Sequence, residues 1–77
     1  MPRYFFNVHD GADIVDDEGV ELAGHDQARA QAVIAAGEML KDHGALFWDH
    51  GEWRMVVLDE SGATVCALRF EAERSAA

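Results

Sequence analysis

The sequence predicts an α+β fold: a small three- to four-stranded sheet with one helix packed on one face, in the order β-β-α-β-β. Three observations predict it. Aromatic and β-branched runs stand near both ends, "RYFFNVH" at 3–9, "EWRMVVLD" at 52–59 and "ATVCALRFE" at 63–71, and such runs suit a pleated, half-buried surface. Between them, apolar residues recur at spacings of three and four, the period of a helix. Glycine-bearing turn signals separate the segments.

Taken in order, residues 3–9 put Tyr4, Phe6 and Val8 on one face and Phe5, Asn7 and His9 on the other, the period-two pattern of a strand. Asp10-Gly11 then reverses the chain, because glycine accepts positive φ and the aspartate side chain bonds nearby backbone. A second turn at Asp17-Glu18-Gly19 leaves Ile14 and Val15 room for only a short strand, after which "VEL" leads into a helix. From about His25 to His43, Ala28, Ala32, Ala35, Ala36, Met39 and Leu40 form one apolar stripe. Its small side chains let the helix lie close on a sheet, while Gln27, Gln31, Glu38, Lys41 and Asp42 point to water. Asp26 early and Lys41 late suit the helix dipole. Gly44 is expected to stop the helix in a left-handed conformation. Gly37, inside it, costs about 1 kcal/mol relative to alanine, and no sequence feature accounts for it. "ALFWDHG" at 45–51 reads as a connection, and the last two strands form a hairpin through Glu60-Ser61-Gly62, with Gly62 left-handed. Residues 1–77 make a single domain, and 74–77 are expected to fray.

One helix covers one face of such a sheet, yet the strands are apolar on both sides. Trp53, Met55 and Val57 alternate with Val56 and Leu58, and Phe5 faces away from Phe6. The second face therefore needs a cover, either the Leu46-Phe47-Trp48 segment or another subunit, since large exposed apolar patches on monomers are uncommon. Phe5, Phe47, Trp48, Val56 and Leu58 are the interface candidates. A chain of 77 residues buries only roughly 60% of its unfolded surface, which favours self-association as a homodimer.

Charge narrows the function classes. Fifteen acids against six scattered bases give a net charge of −9, and binding to a phosphate backbone requires grouped Lys and Arg. Nucleic acid and anionic membrane are thereby disfavoured as partners. No apolar run approaches the roughly 18 to 20 residues that span a bilayer, and the start lacks a basic segment followed by an apolar one. The single Cys66 excludes an internal disulfide and suits a reducing compartment, so a cytoplasmic location is expected.

The densest chemistry is "DGADIVDDEG" at 10–19, with five carboxylates in ten positions. A calcium loop of the EF-hand kind needs oxygen ligands at alternate positions, glycine at the sixth and glutamate at the twelfth. Counting from Asp10 or from Asp13, the pattern fails. The stretch reads as a solvated reversal, with Asp13, Asp16 and Asp17 left as weak candidates for a divalent cation. The four histidines lack a close pair of the HxxxH kind. Cys66 lies mid-strand, Ser61 in a turn and Ser75 in the tail, so none is placed as an activated nucleophile. Asp49-His50 beside Trp48 reads as a loop cap before an acid–base pair.

The opening "MPRYFFNV", the "DG" after it, "DDEGVEL", "ARAQA", the Trp before "VVLDESG" and the closing "LRF" together resemble a family of short uncharacterised bacterial proteins that begin with the Pro-Arg-Tyr-Phe-Phe signature. The resemblance implies a small α+β fold and brings no activity, cofactor or catalytic residue. The strand-strand-helix-strand outline is also loosely similar to small antitoxins of the HicB type, which bind a toxin partner, a likeness of fold alone. The expected function is a non-enzymatic, acidic protein-interaction domain that needs no cofactor and self-associates through the open sheet face. The alternative is a metal-dependent module or small enzyme using residues 10–19 or the histidines.

Overall fold

The computed structural model describes residues 1–75. It contains β1 (Arg3–His9), β2 (Asp13–Ile14), β3 (Val20–Glu21), α1 (His25–Asp42), α2 (Gly44–Phe47), β4 (Glu52–Leu58) and β5 (Thr64–Glu71). All strands are antiparallel in one five-stranded sheet ordered β2-β1-β4-β5, with β3 beside β2 on the same edge of β1. The predicted α+β architecture is the one observed, and the expected short second strand forms at Asp13–Ile14.

Three details differ from the sequence reading. First, "VEL" does not run straight into the helix, because Val20 and Glu21 pair with Tyr4 and Arg3 before α1 begins. β2 and β3 are thus two pieces of one interrupted edge strand, with residues 15–19 standing opposite residues 5–7. Secondly, Gly44 is not a left-handed stop. α1 ends at Asp42, His43 follows at φ −120°, and Gly44 opens one more helical turn, closed by Phe47 N–H donating to His43 C=O at 2.9 Å. That turn seats Phe47 against Phe70, and the left-handed glycine comes at Gly51 (φ 72°), where the chain enters β4. Thirdly, Gln27 does not merely face water. The helix N-cap is Gly24, which offers no side chain, and Gln27 Oε1 instead accepts the Ala23 N–H at 2.6 Å.

The core lies between α1 and one sheet face. Tyr4, Val8, Trp53, Met55 and Val57 are buried against Ala28, Ala32 and Ala36. A step of four residues overshoots a helical turn by about 40°, so the row drifts: Leu40 stays half-buried while Met39, expected on the stripe, is exposed. Alanines at the contact leave no side-chain layer between helix and sheet, which lets large strand residues fill the space.

Gly11, Gly19 and Gly62 are left-handed at the three turns read from the sequence. In the tail expected to fray, residues 76–77 lie outside the described residues, and the Arg74 guanidinium stands 5.6 Å from the Trp48 ring centroid.

Candidate functional site

The acidic stretch is built around Asp16. Its Oδ2 accepts the Phe6 N–H at 3.1 Å, and its Oδ1 accepts the N–H groups of Glu18 at 3.1 Å and Gly19 at 3.0 Å. Asn7 Oδ1 accepts the Asp16 N–H at 2.9 Å. The carboxylate thus occupies the gap between β2 and β3, where a continuous strand would have offered a carbonyl to Phe6. Burial pushes the Asp16 carboxyl up, but the N–H groups of Gly19, Phe6 and Glu18, with Arg3 nearby, outweigh it and hold it below the ordinary carboxylate value. Asp13 meets His9 Nδ1 at 2.5 Å, and Asp17 is exposed. Asp13 and Asp16 therefore have separate partners, and among the described residues no three of His, Cys, Asp and Glu stand together as metal ligands.

His9, His43 and His50 gather at one end of the molecule. A cavity of about 300 Å³ there is lined by Asp10, Leu40, His43, Phe47, His50 and Trp53 among others, and a second opening beside it is lined by His9, Gly11, His50, Glu52 and Arg54. The His50 ring lies directly over Gly11, so close that a Cβ there would stand 2.5 Å from Nε2. Among the described residues, the only histidine within 4 Å of a carboxylate oxygen is His9, beside Asp13. His50 thus acts as a lid on the Asp10-Gly11 turn, in line with a loop cap.

Of the possible nucleophiles, Ser61 Oγ donates to Asp59 Oδ1 at 2.6 Å, inside the β4–β5 turn. Cys66 is half-buried on the helix side, in register with Val57. Burial pushes its thiol up, with Arg29 opposing, the reverse of what activates a cysteine.

The face of the sheet away from α1 is ordered in rows across the strands. Phe5 pairs with Leu58, which pairs with Thr64; Asn7 pairs with Val56, which pairs with Ala67; His9 pairs with Arg54, which pairs with Arg69; and Glu52 pairs with Glu71. The face is apolar at the Phe5–Leu58–Val56 end and charged at the other, so the expectation of strands apolar on both sides holds at one end of this face alone. Polar residues at 7, 52, 54 and 69 interrupt it. Phe5, Val56 and Leu58 are half-buried, and the Gly19 backbone packs against Phe5, where a Cβ would stand 2.9 Å from the ring.

Phe47 and Trp48 do not join this set. Phe47 packs on the helix side, edge-on to Phe70 with ring centroids 5.1 Å apart, and Trp48 stands edge-on to Phe47 at 6.1 Å. Residues 45–51 therefore extend the helical layer and leave the opposite face uncovered. The five interface candidates divide into Phe5, Val56 and Leu58 on one side and Phe47 and Trp48 on the other. Sequence reasoning read residues 63–71 as a strand but took no interface candidate from it, although Arg69, Phe70 and Glu71 of β5 are all exposed; the signal was an alternating strand ending in charges of opposite sign.

No helix among the described residues is long and apolar enough to cross a membrane. Nothing among curated proteins and nothing among solved structures matches the chain. One family model does match, over residues 3–71, from the first residue of β1 to the last of β5. The chain belongs to the family described as Domain of unknown function (DUF6894).

Proposed function

We propose that this protein is a non-enzymatic, acidic protein-interaction domain of the cytoplasm that self-associates through the open face of its sheet. The observation that carries the reading is the contiguous trio Phe5, Leu58 and Val56, which neither α1 nor residues 45–51 cover. A second copy laid on this end would remove three aliphatic or aromatic side chains from water. Each contributes up to about 1.5–3 kcal/mol on full burial, reduced here because the three are already half-buried.

Light scattering coupled to size exclusion at micromolar concentration tests this. The expected wild-type mass is at least twice 8.5 kDa, and Phe5→Ser or Leu58→Asp should lower it while keeping a cooperative melt. A single-chain mass for the wild type overturns the reading. Calcium, magnesium and zinc, titrated during thermal melting, should leave the midpoint unchanged; a rise with ligand excess would favour a metal-dependent module instead.

A further inference from the structure

The two edges of the sheet are unlike. On one, β2 and β3 are two residues each and the Asp16 loop fills the gap between them, an interruption of the kind that blocks strand addition. On the other, β5 runs eight residues without proline or glycine, and among the described residues no strand pairs with its outer side.

The ladder fixes which of its backbone groups are free. Ala72 N–H donates to Gly51 C=O at 3.0 Å, in step with the pairs Phe70–Trp53, Leu68–Met55 and Cys66–Val57. In an antiparallel ladder the hydrogen-bonding direction alternates along the strand. Phe70, Leu68 and Cys66 therefore direct their N–H and C=O at β4, whereas Ala67, Arg69 and Glu71 direct theirs outward.

From this geometry we infer that β5 pairs antiparallel with β5 of a second copy, about a two-fold axis at Phe70. In that register Arg69 lies opposite the other copy's Glu71 and Glu71 opposite its Arg69, so the strand is complementary in charge to itself. Both residues have outward backbone groups, so they form the hydrogen-bonded pair, and the two Phe70 rings meet at the closer, non-hydrogen-bonded position. Shifting the axis to Arg69 would set Arg69 against Arg69, a repulsive pair.

The charge match answers a local imbalance. Arg69 is directly opposite Arg54 on β4, and its own chain supplies Glu71 at 3.5 Å; the second copy brings another carboxylate to the same arginine. On the helix side, Phe70 is 50% exposed beside a groove of about 270 Å³ lined by Val33, Gly37, Leu68 and others. A Cβ on Gly37 would meet nothing within 4 Å, so there is open space above this helix position on the side where Phe70 is exposed. A two-fold axis perpendicular to the sheet keeps both helices on one side, and the contact leaves Phe5, Val56 and Leu58 free. The edge contact goes beyond the face contact proposed above and is separable from it.

Charge reversal of the full chain, read by sedimentation equilibrium, tests the register. Arg69→Glu alone and Glu71→Arg alone should each weaken association roughly tenfold, and the double exchange should restore it to within a few-fold of wild type. Amide exchange by NMR supplies the second readout: Arg69 and Glu71 amides should gain protection with rising concentration, while Phe70 and Leu68 amides stay protected throughout. A dimer whose Arg69 and Glu71 amides remain unprotected, or a double exchange no better than the single reversals, overturns the edge contact and leaves the face contact standing. A chain that stays single at every concentration overturns both.

Discussion

Asp16 stands in for a missing piece of strand beside Phe6. Its Oδ2 accepts the Phe6 N–H at 3.1 Å, in the gap where β2 has ended and β3 has not begun. A side-chain carboxylate is thereby part of the sheet's hydrogen bonding, and the protein's response to acid follows from it.

Because its carboxyl is held below the ordinary value in the folded chain, Asp16 contributes stability that is full above the unfolded value and lost as pH falls through the folded one. Thermal melting of the wild type should weaken as pH drops below about 4. Asp16→Asn should be less stable at neutral pH by about 1–2 kcal/mol and flatter across that window. An equal acid slope in both proteins would remove Asp16 from the account.

Gly11 is left-handed (φ 99°) and lies under the His50 ring. Gly11→Ala therefore meets two costs, backbone strain of about 1–3 kcal/mol and a clash. Adding His50→Ala should recover only the clash, and a double-mutant cycle on melting free energies separates the two. Full recovery in the double variant would mean the backbone conformation costs nothing.

The two tryptophans should differ in weight. Trp53 is 5% exposed within the core and Trp48 is 47% exposed. Trp53→Ala is expected to cost about 3–5 kcal/mol and to unfold so small a domain near room temperature. Trp48→Ala should cost under about 1 kcal/mol, as chemical denaturation will show. Comparable losses would place Trp48 in the core as well.

Cys66 should react slowly with an alkylating reagent at neutral pH, since burial both shields the thiol and disfavours its ionisation. Denaturant should bring the rate up to that of a free thiol. Fast alkylation of the folded protein would contradict the half-buried position in β5.

Local chemistry was legible wherever a residue's task depended on its near neighbours. The strand alternation, the turns at Asp10-Gly11 and Gly62 and the alanine stripe of α1 each follow from the spacing of a few adjacent residues, and each was predicted. Gly44 was misread because a left-handed stop and the start of another turn look alike in one dimension. Phe47 finding Phe70, 23 positions along the chain, decided between them.

By itself the sequence determined the α+β class, the apolar stripe of the main helix, and the absence of a local metal-ligand or nucleophile pattern, because these depend on periods of two and nearly four and on short spacings. Only the tertiary structure decided that Asp16 completes an interrupted edge strand, that residues 45–51 join the helical layer, and that β5 has an outer side unpaired among the described residues. Those outcomes depend on which distant strands pair and in what register, and pairing is settled by packing across the whole sheet.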